Sequence, residues 1–68
     1  MPSRKNELVD VEARLVHQTE KAFLLDAGHT DKRAEWVAKS VVETDVDRIG
    51  DSGIFTMPRA IAEEKGFI

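Results

Sequence analysis

Apolar and polar positions alternate most cleanly near the start of the chain, where Val9, Val11, Ala13 and Leu15 interleave with Asp10, Glu12, Arg14 and Val16. A period of two puts each set on its own face of a strand, so this stretch predicts a half-buried strand with its charges outward. His17-Gln18-Thr19-Glu20 is polar enough to turn the chain. Lys21-Ala22-Phe23-Leu24-Leu25 then predicts a second strand, apolar on both faces and therefore central, joined to the first as an antiparallel hairpin. Gly28-His29-Thr30-Asp31-Lys32-Arg33 reads as the next loop, with Gly28 suited to a positive φ. A third strand is expected over 34–38, with Trp36 and Ala38 on one face and Glu35 and Val37 on the other. Trp36-Val37-Ala38-Lys39-Ser40 holds the only tryptophan, and it reads as the central strand and corner around which the rest is organised.

Beyond that corner, Val42, Thr44 and Val46 share one side of a strand expected over 41–46. Glycines, aspartates and a serine between Asp47 and Gly53 signal a turn, and Ile54-Phe55-Thr56-Met57 makes a short last strand. Pro58 suits the first position of a helix, because its missing N–H has no partner to lose there. Arg59 to Lys65 contains good helix formers, and Gly66 suits the left-handed position past the end. Ile61 would face inward with Met57, and Phe67 and Ile68 would fold back as an apolar plug. The predicted class is α+β: a small antiparallel β-sheet, or an SH3/OB-like barrel, of four or five strands with a short C-terminal helix. Residues 1–7 are expected to be a flexible tail and residues 8–68 a single small β-rich domain.

Composition narrows this picture. Sixty-eight residues make one domain at most, and a hydrophobic fraction of 41% suffices for one compact core of modest stability. There is no cysteine, so neither disulfides nor a thiolate metal site supports the fold, and a reducing cytoplasm fits. No apolar run reaches the roughly 20 residues that a membrane span needs, and no apolar segment follows Arg4-Lys5 as a secretory signal requires. The net charge of −3, with signs well mixed, lacks the basic excess of a dedicated duplex-DNA binder.

Three segments together resemble a group of short phage and prophage accessory proteins. They are Lys21-Ala22-Phe23-Leu24-Leu25, Glu35-Trp36-Val37-Ala38-Lys39-Ser40, and the run from Met57-Pro58 through Lys65-Gly66-Phe67-Ile68. The group pattern is a Trp-Leu/Val-Pro-Lys-Ser motif, an acidic strand and a C-terminal Pro-x-x-Leu-Ala-x-x-Lys-Gly-Leu/Ile motif. The likeness covers the chain from about residue 11 onward and rests on order and spacing together. Ala38 stands at the usual proline, and Arg59-Ala60 replaces a common Glu-Trp pair. The resemblance implies an accessory protein of a mobile element, working in the cytoplasm of a bacterial host cell, and carries no defined activity.

Catalytic constellations do not assemble in the sequence. His17 and His29 lack the spacing of a zinc pair, and His29-Thr30-Asp31 has no placed nucleophile. Ser40 has no glycine-flanked elbow, and Gly50-Asp51-Ser52-Gly53 lacks the lysine of a phosphate loop. The acidic run around Asp45 and Asp47 fails the calcium-loop pattern, since Ile49 and Thr56 stand where oxygen ligands belong. No enzyme activity, metal or cofactor is therefore expected.

Two binding readings stand. In the first, Glu43, Asp45 and Asp47 project from one face of a strand and, with the apolar Phe67, contact a protein of nucleic-acid machinery. One version is inhibition of a host defence nuclease such as a CRISPR effector, with the acidic strand competing for a basic groove. The strand 41–46 could also add to a partner's sheet. In the second, Trp36 stacks bases while Arg33 and Lys39 hold the phosphates of single-stranded nucleic acid. Against this, a domain so small is expected to need Trp36, Phe23 and Phe55 in its core. Oligomeric state is left open.

Overall fold

A computed structural model describes residues 7–28 and 34–68. Five strands, β1 (Leu8–Gln18), β2 (Ala22–Asp26), β3 (Glu35–Ala38), β4 (Glu43–Thr44) and β5 (Ser52–Pro58), precede one helix, α1 (Arg59–Glu64). A 3-10 turn, Lys39–Val41, lies between β3 and β4. The strands form one sheet in the order β3-β2-β1-β5-β4, antiparallel throughout. The antiparallel sheet with a C-terminal helix is thus as expected. The SH3/OB-like alternative is not reached: no pairing joins β3 to β4 among the described residues, and the sheet stays open with those two strands as its edges. The expected loop 28–33 lies outside the described residues apart from Gly28, which has a φ of 77°. Of the expected tail, only Glu7 is described, and its carbonyl accepts from the Arg59 N–H at 2.7 Å.

β1 follows its sequence pattern and sets the two faces. Val11, Ala13 and Leu15 are buried while Asp10, Glu12 and Arg14 are exposed. It lies in the middle of the sheet, pairing with β2 on one side and β5 on the other. At the hairpin to β2, the Thr19 hydroxyl accepts from the N–H groups of Lys21 (3.4 Å) and Ala22 (3.1 Å), a local bond that turns the backbone. The register slips just before that turn. Leu15 pairs with Leu25 but His17 pairs with Leu24, so Val16 is an extra residue, a bulge. Past the bulge the parity reverses, with His17 on the charged face and Gln18 on the core face beside Phe23.

The core joins Val11, Ala13, Leu15, Phe23, Leu25, Val37, Val42, Phe55, Met57, Ala62 and Phe67. Phe23 and Phe55 meet edge to face with centroids 5.9 Å apart, a favoured aromatic geometry. Trp36 is not among them. The expectation of a central, core tryptophan is corrected: β3 is an edge strand and Trp36 is 43% exposed. The register explains it. Phe23 faces Val37 on the core side, which leaves the Leu24–Trp36 pair on the other face.

Val46, from the loop between β4 and β5, packs on the core from the same side. It fits because Gly53 carries no side chain: a Cβ there would lie 2.5 Å from Val46 Cγ2. α1 is tied down at both ends. Pro58 closes β5 and caps the helix, one position earlier than the sequence suggests, with Arg59 as its first residue. At the other end the N–H of Gly66 donates to Glu63 (3.1 Å) and that of Phe67 to Ala62 (2.8 Å). With Gly66 at φ 78° this is a Schellman closure. It folds Phe67 inward to 2% exposure, while Ile68 points outward.

Candidate protein-binding face

Because α1, Val42, Val46 and Phe67 cover one face of the sheet, the other faces outward. Alternation and register determine which side chains it shows. Across the sheet run Glu43, Thr56 and Asp10, then Ile54 and Glu12, then Ser52, Arg14 and Asp26, and finally His17, Leu24 and Trp36. The strands therefore contribute four carboxylates, Asp10, Glu12, Asp26 and Glu43, against one guanidinium, that of Arg14. Asp10 Oδ1 accepts from the Thr56 hydroxyl at 2.7 Å, and Asp26 Oδ1 accepts from the Gly28 N–H at 2.9 Å. These bonds hold the carboxylates in place while their remaining lone pairs stay available. Same-face neighbours on a strand stand roughly 7 Å apart, where two like charges in water repel by about 0.6 kcal/mol. An approaching cation relieves that repulsion.

Apolar side chains stand among the acids. Ile54 is 49% and Leu8 59% exposed, and Trp36 leans edge-on to His17 with ring centroids 6.1 Å apart. At one corner, Leu8, Thr56 and Pro58 of the sheet face Ser40, Val41 and Val42 of the crossover, enclosing a groove of about 280 Å³ beside Glu43.

The residues singled out by sequence are distributed differently. Glu43, Asp45 and Asp47 do not form one row, because β4 is only Glu43–Thr44 rather than the strand 41–46. The Thr44 hydroxyl accepts from the Val46 N–H at 3.1 Å and donates to the Ile54 carbonyl at 2.8 Å, which turns the chain off the ladder. Glu43 and Asp45 flank one shallow depression with Ile54 and Thr56. Asp47 belongs to the loop over the far end of β1, where its carbonyl accepts from Gln18 Nε2 at 2.9 Å. Phe67 is a core residue and is not available to a partner. Among the described residues, no three His, Asp or Glu side chains converge on a possible metal position.

The nucleic-acid set is also divided. Arg33 lies outside the described residues. Trp36 is on the acidic face, whereas Lys39 lies with its Nζ 4.9 Å from the centroid of the inward-facing Phe23 ring. The Lys39 ammonium donates to Gln18 Oε1 at 2.9 Å. Gln18 thereby links the crossover to the 47–51 loop, and Lys39 acts as a cover over the core. Trp36 and the Lys39 ammonium therefore lie toward different faces of the sheet.

Sequence reasoning passed over Asp10, Glu12, Asp26 and Ile54. For Asp10 and Glu12 the signal was present in the strict alternation of β1, but outward charges on a strand read first as a solvated surface. The alignment of all four with one another and with Glu43 depends on strand order. The Arg59 guanidinium, 2.9 Å from Glu63 and 3.7 Å from Glu7, titrates above its ordinary range, chiefly through the hydrogen bond to Glu63. It anchors α1 to the start of β1, away from this face. No helix among the described residues is long and apolar enough to cross a membrane. No protein-family model, curated protein or solved structure matches the chain.

Proposed function

We propose that this chain is a non-enzymatic accessory domain of a phage or other mobile element that binds a protein of nucleic-acid machinery in the host cytoplasm. The supporting observation is the uncovered sheet face, which presents Asp10, Glu12, Asp26 and Glu43 around exposed Ile54. A surface of this charge complements the basic groove with which such proteins hold phosphates, and it repels nucleic acid itself. Inhibition of a defence nuclease, with the acidic face occupying the enzyme's nucleic-acid groove, is the form of this reading that uses the face most fully. The separation of Trp36 from Lys39 weighs against direct single-strand binding.

Affinity capture from a bacterial lysate, with and without nuclease, tests the proposal. A captured protein that survives nuclease and is lost from the Asp10→Asn, Glu12→Gln double variant supports it. Capture that vanishes on nuclease treatment overturns it in favour of direct nucleic-acid binding.

A further inference from the structure

The groove at the corner of the acidic face has a feature that charge alone does not use. Leu8, Val41 and Pro58 supply apolar walls, Thr56 and Ser40 a polar margin, and Glu43 a carboxylate at its mouth. Leu8 and Val41 are both exposed although they stand side by side with apolar neighbours. Thr56 lies between Glu43 and Asp10 in the ladder, so two carboxylates flank the groove on the sheet side. A second copy docked on this corner about a two-fold axis would bring the same acids against these, which disfavours that self-association. The complementary occupant is cationic with one apolar anchor.

We infer that this groove receives a single branched aliphatic side chain of an arginine-rich segment, whose guanidinium groups pair with Asp10 and Glu43. The inference rests on the proposed binding of a basic protein and adds a specificity element to it. Its volume of about 280 Å³ accommodates one such side chain and part of its backbone. Burial of an aliphatic anchor beside charge-assisted hydrogen bonds is the usual division between a hot spot and its polar rim. Arginine suits these carboxylates better than lysine, because its planar fork meets a carboxylate through two N–H groups.

Titration calorimetry on the full chain tests it with two synthetic probes: an arginine-rich peptide with one central leucine, and the same peptide with serine at that position. The leucine peptide is expected to bind about tenfold more tightly than the serine peptide. Val41→Gln and Leu8→Gln should each reduce the leucine peptide to the level of the serine one, with unchanged circular dichroism showing that the fold persists. Equal binding of the two peptides to the unaltered chain overturns the groove assignment and leaves the acidic-face reading standing. Binding of neither peptide overturns both. Concentration-dependent dimerisation in sedimentation that Val41→Gln abolishes makes a second copy the occupant, and overturns the inference as well.

Discussion

The two faces of this sheet are built from the same strands and differ at every adjacent position. Phe55 is fully buried and Ile54, its neighbour, is half exposed. Met57 and Val11 pack under α1, while Thr56 and Asp10 share a hydrogen bond in solvent. The covered face carries the stability of a domain too small to have a second core. The uncovered face keeps like charges together, which opposes folding slightly, and leaves aliphatic side chains in water, where they contribute little to it. That open surface is where the proposed partner would dock.

Substitutions on the two sides of the sheet should have unequal effects. Phe55→Ala should lower stability by about 3–5 kcal/mol in urea denaturation and leave much of the chain unfolded. The adjacent Ile54→Ala is its control and should stay within about 0.5 kcal/mol. If the two cost the same, the faces are not distinct. Gly53→Ala tests the close approach of Val46 and should cost about 1–3 kcal/mol, since a Cβ meets Val46 at 2.5 Å in a packed region. Gly66→Ala should cost about 1 kcal/mol through the left-handed backbone at the helix end, seen as a lower thermal midpoint.

Lys39 sharpens the contrast further. Lys39→Ala should cost about 1 kcal/mol by loss of the contact over Phe23, and Lys39→Met less, because the methionine still covers the ring. A lysine held in reserve for phosphates would show neither effect. Smallest of all, Asp10→Asn with Glu12→Gln should raise the unfolding free energy slightly, by about a few tenths of a kcal/mol in urea denaturation, as repulsion on the open face is relieved. The same double variant should lose the proposed protein partner in the lysate capture. A variant that gains stability while losing binding assigns those carboxylates to recognition.

Much of the covered face was legible along the chain. The alternation from Val9 to Leu15 predicts β1 and the inward set, and the Gly66-Phe67 ending predicts the helix closure, because both signals are local. The uncovered face was legible only in part. Glu43 is where the acidic reading places it, but Asp45 and Asp47 leave the ladder once the Thr44 side chain bonds its own backbone. Trp36 misleads for a similar reason. Size argues that a lone tryptophan belongs in the core, yet register gives the inward place to Val37, and the edge position of β3 leaves the indole outside.

The content of each face is local information: period-two patterning separates apolar from charged side chains before any strand finds its neighbour. Strand order, register and the Val16 bulge were decided only in the tertiary structure. They depend on pairings between residues far apart in the chain, such as Asp10 with Thr56 and Thr56 with Glu43. The bulge reverses parity within β1, sending His17 out beside Trp36 and Gln18 in toward Lys39. A single extra residue in a ladder changes which face every later side chain joins, and no local pattern announces it.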